Sequence, residues 1–133
     1  CKLLMKIIWT NGCFDILHRG HIELFKFCKS QGDYLIVGVD TDDRVKKNKG
    51  PSRPINNLND RMFFLEAIEC IDKVVSFSSD DELIKRLHEN NVDTIIIGSD
   101  WRGKSVVGQN MVNKILFFDR IGEYSTTRIL EKK

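Results

Sequence analysis

The sequence predicts an α/β domain with a five-stranded parallel sheet flanked by helices. Short apolar segments of strand length alternate along the chain with longer segments of helical periodicity. The resulting β-α units repeat at intervals of roughly 30 residues, which favours a parallel sheet joined by right-handed crossovers. The chain has 133 residues without an internal repeat or a low-complexity tract, so residues 1–133 are expected to form a single domain with one core.

The predicted elements follow one another in a regular order. Strands are predicted at residues 6–9, 34–39, 73–77, 94–97 and 115–118, and helices at 20–30, from 57, from 79 and, in a short last segment, from 125. The second strand is apolar on both faces, as is typical of a parallel strand covered by helices on both sides. Ser79 and Glu82 have the spacing of a capping box. Gly32 is expected to end the first helix, and the basic run 44–54 is predicted to be a loop. This order of elements is that of a Rossmann-like domain.

Composition and charge argue against several classes of protein. Hydrophobic residues make up 41% of the chain, and 21 basic against 19 acidic residues give a net charge of +2. This balance does not favour a nucleic-acid or membrane-surface partner. No apolar run approaches the ~20 residues that a membrane span needs. The chain begins at Cys1 rather than at a methionine, and no signal peptide is recognisable.

The four cysteines are expected to be reduced. Cys1, Cys13, Cys28 and Cys70 form neither a C-x-x-C pair nor a zinc-ligand spacing. Together with the lack of an export signal, this favours a cytoplasmic protein. Cys28 and Cys70 are predicted to lie on apolar helix faces, where a thiol behaves as a small hydrophobic group. A catalytic role for the Cys13 thiol has little support.

Residues 10–21, the turn between the first strand and the first helix, contain the strongest functional signal. A helix N-terminus offers unpaired N–H groups and a positive dipole end, which suit phosphate. His18 and His21 share one face of the first turn, and Gly12 and Gly20 allow backbone to approach a ligand. The stretch therefore predicts chemistry on a nucleotide phosphate. Alternatively, the histidines are surface or capping residues, or half of a metal site, although no third ligand has a suitable spacing.

Three further motifs follow the second, fourth and fifth predicted strands. They are residues 46–61, 98–104 and 119–127. In the first of them, Lys46, Lys47 and Lys49 are candidates to neutralise the phosphates of a ligand. Ligands of open parallel sheets bind beyond the carboxyl ends of the strands, so this placement supports a nucleotide site independently of any family. The alternatives are a solvated loop for the lysines of the first motif, an ordinary turn for the second, and helix capping for Ser125 and Thr126 in the third. Arg61 lies in the first turn of a predicted helix, where a cation opposes the dipole, which indicates an anionic ligand or an acidic partner.

The motifs resemble those of known nucleotidyltransferases over nearly the whole chain. The run 18–21, His-Arg-Gly-His, resembles the His-x-Gly-His motif of that superfamily. Residues 98–104 resemble the Gly-Asp-Asp-Trp-x-Gly-Lys segment of glycerol-3-phosphate cytidylyltransferases, with Ser99 in place of the first Asp. Residues 119–127 resemble the Arg-Thr-x-Gly-Ile-Ser-Thr-Thr motif of cytidylyltransferases and depart from it at 122–124. Residues 50–56 are more similar to the corresponding segment of ADP-heptose synthase.

The resemblance to cytidylyltransferases implies transfer of CMP from CTP to a small phosphorylated acceptor of glycerol size. Pyrophosphate leaves and a CDP-linked product forms, as in the synthesis of precursors of cell-surface polysaccharides. Mg²⁺ is expected as cofactor because triphosphate carries dense charge, without a metal site of the protein's own, and a homodimer is expected. One alternative is adenylyl transfer to a sugar 1-phosphate, as in ADP-heptose synthase. Another is a nucleotide-binding module that has lost turnover, against which the intact histidines argue.

The same resemblance implies roles for individual residues. The expected catalytic residues are His18, His21, Lys46 and Arg120. The expected nucleotide-binding residues are Thr10, Asn11, Gly12, Cys13, Phe14, Gly20, Arg61, Gly98, Asp100, Arg120, Tyr124, Ser125, Thr126 and Thr127. The expected acceptor-binding residues are Asp15, Lys46, Trp101 and Lys104. Thr10 and Phe14 are expected to line the opening of the site, and Asp15 is also a candidate for structuring the turn.

Overall fold

The computed structural model describes residues 5–99 and 103–119, and the structural statements below concern these residues. Five parallel strands form one sheet in the order β3-β2-β1-β4-β5. The strands are β1 Ile7–Gly12, β2 Tyr34–Asp40, β3 Lys73–Phe77, β4 Thr94–Gly98 and β5 Lys114–Phe118. The helices are α1 Arg19–Ser30, α2 Asp42–Lys49, α3 Leu58–Glu66 and α4 Asp80–Glu89, and Gln109–Met111 form a 3₁₀ turn. The prediction of a Rossmann-like α/β fold with five parallel strands is confirmed.

Helices cover both faces of the sheet. Adjacent residues of β1 point to opposite sides, so that Ile8 belongs to one core cluster and Trp9 to the other. The first cluster includes Phe25 of α1 and Leu65 of α3, and the second includes Leu83 of α4. This two-sided burial is the reason why β2 reads as a continuous apolar run. None of the described helices has the length and apolar character that a membrane span requires.

The strand order reverses direction beside β1. The chain runs outward from β1 through β2 to β3, then crosses to the other side of β1 for β4 and β5. The carboxyl ends of β1 and β4 therefore border the crevice where ligands of such sheets bind. The loop of residues 13–18, here called the histidine loop, joins β1 to α1 at this point.

The basic run predicted as a loop is largely a helix. Residues 42–49 form α2, with Asp42 and Asp43 in its first turn and Lys46, Lys47 and Lys49 in its last turn. This charge distribution complements the helix dipole. The helix could not be predicted from the sequence because Val45 is the single buried residue of α2, so the segment has no apolar periodicity.

Gly32 and Cys70 also differ from their predicted settings. The residue that caps α1 is Gln31, and Gly32 does not have a positive φ. A Cβ atom at Gly32 would lie 2.7 Å from the Lys6 carbonyl oxygen and 2.6 Å from Ile8, so close packing requires the glycine here. Cys70 lies in the turn after α3 rather than on a helix, whereas Cys28 is buried on α1 as predicted.

Candidate active site

His18 and His21 cap the N-terminus of α1. The Nδ1 atom of His18 accepts a hydrogen bond from the Gly20 backbone N–H at 3.1 Å. The Nδ1 atom of His21 accepts one from the His18 backbone N–H at 3.2 Å. The two rings are stacked, with centroids 3.9 Å apart. The histidines thus form a reciprocal capping box of the kind that Ser and Glu usually make.

These hydrogen bonds define which ring nitrogen carries the proton. An Nδ1 atom that accepts from a backbone N–H has no proton, so each neutral ring carries its proton on Nε2. Two Nε2–H donors therefore lie at the N-terminus of α1, where the helix dipole attracts anions. The capping role is compatible with a phosphate-binding role because the two roles use different nitrogens.

Phe14 anchors the histidine loop instead of lining an opening. Its φ of 52° is in the left-handed region, which costs energy in a bulky residue. Its buried ring makes edge contacts with His21 and Phe25, with centroid distances of 5.3 and 5.2 Å. A Cβ atom at Gly12 would lie 3.3 Å from this ring. The ring of Phe14 therefore packs against the imidazole of His21 and supports its position.

Thr10 and Asn11 precede the histidine loop on β1. Thr10 is completely buried, so neither Thr10 nor Phe14 lines an opening as predicted, and the Thr10 hydroxyl has no hydrogen-bond partner within residues 5–99 and 103–119. Asn11 accepts a hydrogen bond from the Trp9 indole at 2.8 Å.

Asp15 joins the histidine loop to the segment before α3. Only 1% of Asp15 is exposed, and its carboxylate accepts from the backbone N–H groups of Ile55 at 2.5 Å and Asn56 at 3.0 Å. Arg53 donates to the Asp15 carbonyl oxygen at 2.5 Å, and its Nε lies 3.6 Å from the carboxylate. The carboxylate of Asp15 is buried and engaged by backbone amides, and its contact with an acceptor stays a prediction. The alternative, that Asp15 structures the turn, fits the geometry.

Arg61 has protein partners at the position where a nucleotide contact was expected. The residue is 1% exposed, and its guanidinium forms an ion pair with Asp42 at 2.7 Å. It also donates to the backbone carbonyls of Asn56, Cys13 and Asp40 at 3.0, 3.0 and 2.8 Å. Of the two alternatives for this cation near a helix N-terminus, the acidic partner is the one present. A direct contact of Arg61 with nucleotide stays a prediction.

Burial controls the ionisation of two groups beside the loop. Burial raises the pKa of the Cys13 thiol, although the Arg61 guanidinium opposes the shift. Cys13 is therefore a neutral thiol at physiological pH and a poor nucleophile. Burial also raises the pKa of the Asp40 carboxyl at the end of β2, against the effect of the Arg44 guanidinium 3.1 Å away.

Lys46, Lys47 and Lys49 lie on α2, which begins directly after the carboxyl end of β2. Lys46 and Lys49 are exposed and three residues apart, so they are neighbours on one side of the helix. Burial raises the pKa of both Cys13 and Asp40, and the charge of Lys49 is among the smaller effects that oppose this rise. Lys49 was expected, with Lys46 and Lys47, to be a candidate for neutralising phosphate, and that role stays a prediction.

The other expected site residues divide into two groups. Gly98 ends β4 beside β1, Gly20 lies in the first turn of α1, and Lys104 is exposed in the segment that follows β4. The residues that lie outside the described part of the chain are Asp100, Trp101, Arg120, Tyr124, Ser125, Thr126 and Thr127.

The described residues do not form a binding site for a metal ion. No group of three or more His, Cys, Asp or Glu side chains in 5–99 and 103–119 could hold one. The carboxylates of Asp15, Asp40 and Asp42 are instead engaged by backbone amides or arginines. An Mg²⁺ ion would therefore depend on oxygens of the substrate rather than on a cluster of these side chains.

Comparison with known proteins identifies the family. The family model described as cytidylyltransferase-like matches residues 9–132. The chain belongs to the cytidylyltransferase-like family. Membership supports a nucleotidyltransferase function, in agreement with the histidine motif and the placement of the site.

Relatives and solved structures agree with this assignment. The bifunctional protein HldE of Sulfurimonas denitrificans is 44% identical over 96% of this chain, and that of Helicobacter hepaticus is 44% identical over 95%. The chain spans 26% of the length of each of these relatives. A lipopolysaccharide core biosynthesis protein from Thermoplasma volcanium superposes with a TM-score of 0.70 at 28% identity, covering 91% of this chain and 99% of its own. Pantoate-beta-alanine ligase from Francisella tularensis, with a TM-score of 0.64 at 19% identity over 90% of this chain and 60% of its own, shares the fold.

Proposed function

We propose that the chain transfers an adenylyl group from ATP to a sugar 1-phosphate and releases pyrophosphate. The observation that carries this proposal is the attachment of residues 50–56, the segment similar to ADP-heptose synthase, to the histidine loop through Asp15. The heptose-type segment is thus part of the framework of the site. The similarity to HldE proteins over almost the whole chain supports the same choice.

A sugar acceptor is also supported by the solved relative from Thermoplasma volcanium. That relative is a lipopolysaccharide core biosynthesis protein. Lipopolysaccharide cores contain sugars, and the attachment of a sugar generally requires a nucleotide-activated donor. The motif that favoured a glycerol-size acceptor, 98–104, lies partly outside the described residues. The similarity to the HldE proteins and to this solved relative supports ATP with a sugar 1-phosphate better than CTP with a glycerol phosphate.

The proposed reaction is an in-line displacement at the α-phosphorus of the nucleotide. A phosphate oxygen of the acceptor forms a bond to this phosphorus, the bond to the bridging oxygen of the β-phosphate breaks, and pyrophosphate leaves with the electron pair. Such a reaction depends on positioning and charge stabilisation more than on covalent chemistry. Mg²⁺, when bound to the triphosphate, would neutralise part of its charge.

His18 and His21 would act on the charge that develops in this step. Their Nε2–H groups are proposed to donate to the α-phosphate oxygens and to the bridging oxygen, while their Nδ1 atoms remain bonded to backbone. Lys46 and Lys49, on α2, are proposed to neutralise the phosphates, and Lys104 remains a candidate for the acceptor phosphate.

A substrate matrix tests the proposal. Pyrophosphate release would be measured with ATP, CTP, GTP and UTP, each combined with a sugar 1-phosphate or with glycerol 3-phosphate. The highest kcat/KM is expected for ATP with a sugar 1-phosphate. A preference for CTP with glycerol 3-phosphate would restore the cytidylyl alternative, and nucleotide binding without any turnover would indicate a binding module. Sedimentation of the same preparation tests the expected homodimer.

A further inference from the structure

The guanidinium of Arg61 connects four separate segments of the chain. It donates to Cys13 in the histidine loop, to Asp40 at the end of β2, to Asn56 before α3 and to Asp42 in the first turn of α2. We infer that Arg61 is a positioning residue that fixes the histidine loop relative to α2 and thereby sets the rate of nucleotidyl transfer. This inference rests on the proposed function.

The burial of Arg61 shows how strongly these contacts determine its position. Its side chain is 0% exposed, and a buried cation is tolerated only when its donors are satisfied and its charge is paired. The three backbone carbonyls and the Asp42 carboxylate meet both conditions. The planar fork of arginine serves acceptors in several directions at once, whereas lysine is a point charge on a flexible stem and cannot reproduce this geometry.

The contacts of Arg61 with Cys13 and Asn56 hold the histidine loop at two points. Arg61 bonds directly to the Cys13 carbonyl, five residues before His18. It also bonds to the Asn56 carbonyl, and the N–H of Asn56 donates to the buried carboxylate of Asp15 in the same loop. The path of the backbone into the α1 cap therefore depends on Arg61.

The contacts of Arg61 with Asp40 and Asp42 hold α2, the helix on which Lys46 and Lys49 lie. Asp40 ends β2, and Asp42 begins α2, so bonds to both fix the start of the helix. Lys46 and Lys49 follow on the same short helix. A single guanidinium thus determines the separation between the imidazoles and the ammonium groups. In-line transfer is sensitive to such distances, and a displacement of about 1 Å costs on the order of 10²-fold in rate.

The test compares Arg61→Lys, Asp42→Asn and a control variant, Asp93→Ala. The Asp93 carboxylate accepts hydrogen bonds from the side chains of Asn113 at 2.7 Å and Thr94 at 2.8 Å. Asp93 lies just before β4, at the amino ends of the strands, whereas the histidines follow the carboxyl end of β1. Its loss is expected to lower stability without changing the site. Each variant is assayed for kcat, for the KM of ATP at saturating sugar 1-phosphate, and for the thermal unfolding midpoint.

Arg61→Lys is expected to lower kcat by ~10–100-fold while the KM for ATP changes by less than about threefold, because geometry is lost mainly in the transition state. Asp42→Asn retains an amide oxygen and is expected to lower kcat by a few-fold. Asp93→Ala is expected to lower the unfolding midpoint and to leave kcat unchanged below that temperature.

Other results would overturn the inference. A large rise in the KM for ATP with kcat unchanged would make Arg61 a nucleotide ligand, and an equal loss of kcat in Asp93→Ala would make its role merely structural. Normal kcat in both site variants would also contradict it. If Arg61→Lys does not fold, the kcat of folded Asp42→Asn decides. An inactive parent protein, by contrast, would refute the proposed function and not the positioning role.

Discussion

The N-termini of α1 and α4 have similar capping geometry but different chemistry. At α4, the Ser79 hydroxyl accepts from the Glu82 N–H at 3.1 Å, and the Glu82 carboxylate accepts from the Ser78 N–H at 2.7 Å. At α1, the two acceptors are the Nδ1 atoms of His18 and His21. Both helix ends therefore satisfy backbone donors with a pair of side chains three residues apart.

The difference between them lies in the charge that each helix end retains. The first turn of α4 contains three acidic residues, Asp80, Asp81 and Glu82, whereas the first turn of α1 contains none. The positive end of the α4 dipole is thus offset by the chain itself. At α1 the caps are imidazoles, which carry no negative charge, so this helix end remains suited to an external anion. The comparison indicates that capping is structural at α4 and also chemical at α1.

Removal of an imidazole is the strongest test of this difference. His18→Ala and His21→Ala are each expected to lower kcat for pyrophosphate release by ~10²–10⁴-fold, because an Nε2–H donor to the developing charge is lost. The fold is expected to remain, at a cost of about 1 kcal/mol for the missing cap. Circular dichroism confirms folding before each assay. Near-normal turnover of either folded variant would contradict the assignment.

A capping residue without a second ring nitrogen separates the two roles of His18. Asparagine is a good N-cap residue, so His18→Asn is expected to regain most of the ~1 kcal/mol lost by His18→Ala. Its turnover is expected to remain as low as that of the alanine variant. Denaturant unfolding and pyrophosphate release are measured on both proteins. Recovery of turnover together with stability would show that capping alone explains the effect of His18.

The matched change at α4 should affect stability only. Ser79→Ala removes the hydroxyl that caps α4 and is expected to lower the free energy of unfolding by about 1 kcal/mol. Its kcat and KM values should equal those of the parent. A substantial loss of turnover in this variant would mean that the α4 terminus also contributes to the site.

The smallest expected effect is the loss, at acidic pH, of the stability that Glu82 contributes. The hydrogen bond from the Ser78 backbone holds the pKa of Glu82 below its usual range. A lowered folded-state pKa stabilises the fold above the unfolded-state value of about 4.3, and this contribution is lost as pH falls through the folded-state pKa. Unfolding of the parent and of Glu82→Gln is compared between pH 7 and 3. The stability advantage of the parent should shrink in acid, and an advantage that grows would give the opposite sign.

The strands could be predicted because they are apolar on both faces and bounded by turn residues. The α2 helix could not, since one buried valine among charged residues gives no periodic signal. The histidines were found as a motif, but their role as caps depends on which ring nitrogen meets the backbone. That information is not present in residue spacing.

The protein contacts of Asp15 and Arg61 could not be predicted from the sequence for a related reason. Both are charged residues in a motif, which favours a binding role in sequence reasoning. In the structure both are buried, and their partners are mainly backbone groups of segments distant in sequence. Backbone acceptors and donors exist at every residue, so no sequence pattern identifies which of them a buried charge will meet.

Nitrogen NMR of ¹⁵N-histidine-labelled protein during a titration with ATP tests the central claim most directly. The account predicts that His18 and His21 are neutral with the proton on Nε2, and that their Nε2 signals shift as ATP binds while His88 on α4 does not respond. Assignment uses the His18→Ala and His21→Ala variants. Protons on Nδ1 in the free protein, or unchanged Nε2 signals at saturating ATP, would contradict the claim that the α1 cap binds nucleotide phosphate.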